Sequence, residues 1–352
     1  MARKHKPPSR QSAGASVMTL KDKPSPHQSD DAAVATHKDK PSSNPSADGA
    51  VTAESVLEPP CVALMPNSEV DASVSASELT AAVQSLPPLP VPMTSWKLSG
   101  DTVIGLAHRR KGLPCQDAVA FRQSQRPILA LSDGAGSAAI SERGAQALVI
   151  GITRFLQTME DDFSPWLDGE NDASQAQATR WADRMLLHAK GLLADLAHGE
   201  RRDIRDLRAT LQVAIIGERR IFWWKVGDGA IVAKCSAGLW SLGNPTSAKG
   251  EFANQTCFVD TASASDVQSG VLPTSEIFGI ALMSDGGAER LVSYDGSKVA
   301  NRLGEWMNHV AEQRFATDRI ALAFHEPAMW ERTSLDDRSI VLAARLQNVP
   351  ST

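Results

Sequence analysis

The stretch ATLQVAIIGERRIFWWKVGDGAIVAK, residues 209–234, decides the fold class. It holds three apolar runs, 209–216, 220–226 and 230–234, joined by GER and GDG, which is tight-turn chemistry. Strands joined that closely fold back on one another. Upstream, 101–107 and 117–122 read as strands, and 127–132 is a buried apolar run that stops at Asp133-Gly134. A helix follows over 139–158, with Ser137 and Ser141 as caps and Ala145, Leu148, Val149, Ile152 and Phe155 at helical spacing. The acidic stretch 161–175 reads as a solvated connection to a second helix built on Trp181, Met185, Leu186, His188, Leu192, Leu193 and Leu196. Downstream, a loop-rich region over 242–275 leads to a strand at 277–284, ending at Asp285-Gly286. Helices near 296–313 and 317–325 precede a last strand, 339–345, just after Asp336-Asp337. Strands come in runs and helices in pairs, which points to an α+β sandwich with mostly antiparallel sheets rather than a doubly wound fold. The adjacent Trp223 and Trp224 fall on opposite faces of their strand, one expected in the core and the other partly exposed.

Composition bounds the domain. All 18 Phe, Trp and Tyr residues lie at or after Trp96, while 13 of the 20 prolines lie in the first 95 residues. A segment without aromatics cannot bury enough apolar area to offset its ordering entropy, so residues 1–95 read as a disordered Ser/Pro/Ala-rich tail and 96–348 as the folded domain. LPPLPVP (86–92) closes the tail as a stiff spacer. The net charge of −5 offers no basic footprint for nucleic acid. Residues 1–40 carry eight Lys/Arg against four Asp/Glu, and 41–95 carry none against six. The four cysteines form no CxxC pair, which favours a reducing compartment over a zinc site or a disulfide framework. No stretch approaches 18 apolar residues, and the expectation is a cytoplasmic protein without a membrane partner.

Aspartates recur at the edges of buried strands: Asp117, Asp133, Asp285 and the pair Asp336/Asp337. A strand fixed in a core holds its terminal carboxylate on a rigid mount. Several carboxylates on one sheet edge repel one another unless cations neutralise them, and an all-oxygen set suits hard divalent ions such as Mg²⁺ or Mn²⁺. Any one Asp-Gly is ordinary turn chemistry. The ordered set is far more specific: GLAHRRKGLPCQDAVAF (105–121), LALSDGAGSA (129–138), TLQVAIIG (210–217) with KVGDG (225–229), ALMSDGGAERL (281–291) and SLDDRSIVLAA (334–344).

This order and spacing resemble the metal-dependent protein phosphatases of the PP2C (PPM) family. The match is closer to the bacterial branch whose first motif reads G-x-x-H…G-x-P-C-Q-D-A, and it spans about residues 96–347. The resemblance implies a four-layer α-β-β-α sandwich with a metal cleft between the sheets at one edge. Asp133 then matches the aspartate that bridges two ions, with the Gly134 carbonyl joining one of them. Asp117 matches the first-motif aspartate, Asp285 the late strand-end ligand and Asp336 the last ligand. Asp337 stands where the family has Asn or Asp, so Asp337→Asn is expected to matter less than changes at its neighbours. Asp228 matches an aspartate linked to a weaker third ion.

The implied chemistry is hydrolysis of phosphoserine and phosphothreonine in proteins by a water activated between two ions, opposite a Ser/Thr kinase. A covalent route through a C-x5-R loop is excluded on spacing, since Asn67, Phe121, Ser241 and Ser263 stand six places after the four cysteines. Two departures favour the competing reading, an inactive PP2C-fold phosphoprotein-binding or regulatory module. Gln116 replaces a common Glu, and Gly112 replaces an Arg that grips the substrate phosphate. His108, Arg109, Arg110 and Lys111 are the candidates to take that Arg's place.

Overall fold

Among the described residues, the apolar runs become ten strands in two five-stranded sheets, with every neighbouring pair antiparallel. The computed structural model of the chain describes residues 90–170, 175–243, 256–315 and 317–347, all within the unit Ser73–Thr352. One sheet has the order β2-β3-β4-β5-β8: β2 Ala118–Gln123, β3 Pro127–Ser132, β4 Leu211–Ile216, β5 Arg220–Val226 and β8 Gln268–Pro273. The other runs β1-β10-β9-β6-β7: β1 Lys97–Val103, β10 Arg338–Ala344, β9 Gly279–Met283, β6 Ala230–Cys235 and β7 Gly238–Leu242. The expected disordered tail lies, to residue 89, outside the described residues.

Alternation along the strands builds three cores. On β4 and β5, Leu211, Val213, Ile215, Phe222 and Trp224 pack under helices α2 (Ser141–Thr158) and α4 (Gln175–Glu200). The intervening Ala214, Ile216, Ile221 and Trp223 meet Ile231, Leu282 and Val341 of the opposite sheet. On that sheet's outer face, Val232, Ala281, Ile340 and Leu342 pack against Leu303, Trp306, Met307, Ile320 and Phe324 of α6 (Asn301–Ala311) and α7 (Thr317–His325). The layers are therefore helix, sheet, sheet, helix. Both faces of each sheet are covered, so central strands such as β3, β4 and β10 are buried at every position. Each large apolar side chain buried this way contributes about 1.5–3 kcal/mol.

Several local expectations are corrected. Residues 104–107 are not strand: Gly105 opens a short helix, α1 (Leu106–Lys111). Ser137 and Ser141 cap nothing, because α2 begins at Ser141 with Ile140 as an N-cap that makes no side-chain bond. The first part of the 161–175 stretch belongs to helix α3 (Glu160–Leu167), which buries Phe163, Trp166 and Leu167 although Pro165 lies inside it. Two of its acids are engaged: Glu160 and Asp168 both bond Arg126, whose side chain is 1% exposed. Strand β7 lies just before the region read as loop, where no element was expected, and β8 lies within that region. Trp223 and Trp224 do face opposite ways, but both are buried, because each face of β5 has a layer against it. Among the described residues, no helix is long and apolar enough to cross a membrane.

Candidate metal centre

Strand register brings the separated aspartates to one end of the sandwich. Ala118 pairs with Ser132, so Asp117, just before β2, stands beside Asp133, just after β3. Ala230 pairs with Met283 and Met283 with Ile340. That pairing carries Asp228 (in the β5–β6 turn), Asp285 (opening the short helix α5, Asp285–Ala288) and Asp336/Asp337 (before β10) to the same end. The loops interlock through their backbones: a side chain at Gly286 would meet the Asp337 carbonyl oxygen at 2.2 Å.

The electrostatics follow from this crowding. Burial pushes the Asp117 carboxyl up to about 7; the hydroxyls of Ser339 and Ser284 pull it back, while the charges of Asp337 and Asp285 push it further up. Its Oδ2 is buried without a hydrogen-bond partner. Burial, followed by the charges of Asp117 and Asp285, holds Asp133 well above the usual carboxylate range. Asp285 is raised by burial and by Asp228, although its contact with Asp133 and the Gly286 amide oppose the shift. Hard oxygen donors, mutual repulsion and an orphaned buried carboxylate oxygen all fit divalent cations. Without them, Asp117, Asp133 and Asp285 each bind a proton more tightly folded than unfolded. We therefore expect stability of the metal-free protein to fall as pH rises from about 5 to 8, lowering Tm by about 5 °C or more at roughly 2–4 °C per kcal/mol. Saturating Mn²⁺ should flatten that slope, which thermal unfolding across the pH series will check.

Other side chains set the mounts, and sequence reading missed them. The Asp133 amide donates to Thr210 Oγ1 at 3.0 Å, and the Thr210 amide returns a bond to the Asp133 carbonyl. The Gly134 amide donates to the Gln116 carbonyl at 3.1 Å, which fastens the second motif to the first. Thr256 Oγ1 donates to Asp228. Ser284 Oγ accepts the amides of Gly287 and Ser339, locking α5 to β10. Lys225 lies buried on the face of β5 between the sheets and donates to the Gly229 carbonyl at 3.0 Å; burial lowers it to about 8. A charged residue on an apolar strand face was the available signal for it.

The first-motif cations divide. His108 is buried, with Nδ1 2.9 Å from Asp337 Oδ2. Arg109, Arg110 and Lys111 are exposed on α1. Gly112 ends α1 in the left-handed region at φ 66°, which explains why no Arg stands there: a side chain would be strained. Asp337 is almost fully buried. Its Oδ1 accepts the Gly105 amide and its Oδ2 the Gln116 amide, both at 2.6 Å. The expectation for Asp337→Asn concerns activity, and these bonds add one for stability. An Asn keeps one acceptor and turns an NH₂ toward the other amide, so unfolding free energy should fall by about 1–3 kcal/mol in chemical denaturation.

A family profile described as Protein phosphatase 2C matches residues 104–323. The chain belongs to that family and is a protein phosphatase by class. It is 27% identical over 262 residues to Serine/threonine-protein phosphatase 3 of Escherichia coli (strain K12), covering 71% of this chain and 98% of that one. Among solved structures it is similar to the serine/threonine phosphatase Stp1 of Staphylococcus aureus (16% identity, 74% of this chain and 97% of that one, TM-score 0.46). It is also similar to the catalytic domain of the serine threonine protein phosphatase PstP in complex with 2 manganese ions (17%, 72% and 99%, TM-score 0.47).

Proposed function

We propose that this protein hydrolyses phosphoserine and phosphothreonine esters in proteins, with Mg²⁺ or Mn²⁺ held by Asp117, Asp133, the Gly134 carbonyl, Asp285 and Asp336. Asp228 would serve a weaker third ion. The observation that carries this reading is the meeting of buried, proton-retaining carboxylates from three separate segments, Asp117, Asp133 and Asp285, at one end of the two sheets. Bound there, divalent cations neutralise the cluster, acidify water and stabilise charge on the phosphoryl group.

The chain's own residues supply the positioning. Thr210 and Ser284 hold the strand ends from which Asp133 and Asp285 project, and the Lys225–Gly229 bond fastens the turn that carries Asp228. Arg109 and Arg110, exposed on α1, would receive the substrate phosphate in the role that Gly112 leaves open. Residues 96–348 form the catalytic domain and 1–95 an accessory tail. The substrates are phosphoproteins made by an opposing Ser/Thr kinase, and neither nucleic acid nor membrane takes part. The three described cysteines are free, which suits a cytoplasmic enzyme. The departures at Gly112 and Gln116 favour the inactive module. Hydrolysis of p-nitrophenyl phosphate with Mn²⁺ or Mg²⁺, and none with EDTA, supports the enzyme; metal binding without turnover on any phosphoester supports the module.

A further inference from the structure

The Asp337 carboxylate is committed on both oxygens to backbone amides, and its Oδ2 also meets the His108 ring. That approach, 2.9 Å from Nδ1, lacks hydrogen-bond geometry, so Nδ1 is a buried ring nitrogen without a hydrogen-bond partner. Nε2 in turn stands 3.9 Å from Asp336 Oδ1. The His108 side chain is 10% exposed and that of Asp336 is 51% exposed, so the imidazole reaches from the interior toward an open carboxylate. A buried imidazole with an unpartnered ring nitrogen beside two carboxylates offers the mixed donor set of a metal site. Among the described residues, His108, Asp336 and Asp337 are also the one set of three metal-ligating side chains whose ligand atoms all lie within 4.8 Å of one another. Two bonds of about 2.1 Å are long enough to span the gap between Nε2 and Oδ1.

We propose that His108 gives a nitrogen ligand to the divalent cation that Asp336 holds. The inference rests on the metal-dependent reading above and deepens it. Imidazole suits first-row transition ions better than Mg²⁺, so this site prefers Mn²⁺ over Mg²⁺. His108 is thereby a selector of the metal rather than a contact for the substrate phosphate.

The test titrates Mn²⁺ and Mg²⁺ calorimetrically into the full-length, metal-stripped chain and into His108→Gln. Mn²⁺ affinity should fall about tenfold or more in the variant, with Mg²⁺ affinity changed less than about twofold. A crystal of the unaltered protein soaked in Mn²⁺ gives a readout that does not depend on the variant folding: an anomalous scatterer at bonding distance from His108 Nε2. Equal losses for both ions, or a Mn²⁺ ion on Asp336 that leaves Nε2 unbonded, would overturn the nitrogen ligand and leave metal dependence standing. No binding of either ion to the unaltered chain would overturn both.

Discussion

Asp133→Asn is expected to lower phosphopeptide turnover by about three orders of magnitude or more. Cations in such a site supply several kcal/mol of transition-state stabilisation, and each 1.4 kcal/mol is about tenfold in rate. Asn keeps the shape of the side chain but loses the charge that would hold two ions at once. The backbone mount survives, because the bonds to Thr210 use the Asp133 amide and carbonyl rather than its carboxylate. A second readout has the opposite sign. Asp133 is buried against Asp117 and Asp285, so removing its charge relieves repulsion, and the metal-free variant should be more stable than the parent at pH 8. Lost activity together with raised metal-free stability marks a charge kept for function. Lost activity together with lost stability would mark a merely structural aspartate.

Arg126→Met is expected to reduce unfolding free energy by about 3–5 kcal/mol, the usual cost of removing one partner from a buried ion pair. Arg126 Nε lies 2.8 Å from both Glu160 oxygens, and Nη2 lies 2.9 Å from Asp168 Oδ2. Asp168 Oδ1 also accepts the Glu218 amide at 2.8 Å, so the cluster joins the start of β3, helix α3 and the β4–β5 turn. Methionine fills the volume but leaves two shielded carboxylates uncompensated. Chemical denaturation reads the loss; a change below about 1 kcal/mol would mean the cluster is worth no more than an exposed pair.

That cluster also shows where sequence reading runs out. The strands 127–132 and 220–226 were legible to the residue because continuous apolar runs end in turn chemistry on both sides. The aspartates at their ends were legible for the same reason. Helix α3 was not, because its acids and Pro165 look like solvated linker until the partner Arg126 is known, 34 residues away. Asp337 was judged from the tolerance of a family position. Its partners Gly105 and Gln116 lie 232 and 221 residues distant, and no local pattern announces a carboxylate that binds two amides. His108 had the same difficulty: among neighbouring cations it looked like a phosphate contact, and only the fold turns it toward Asp336 and Asp337. Thr210 and Ser284 are ordinary residues in sequence and matter only through the register that places them.

The most direct test of the account measures bound metal and phosphothreonine-peptide turnover on the same sample, as the stripped full-length chain is reloaded stepwise with Mn²⁺. The account predicts no turnover in the stripped protein, a rise with bound ion to a plateau, and a flat line for Asp133→Asn. Turnover in the stripped protein, or full occupancy without turnover, would contradict it.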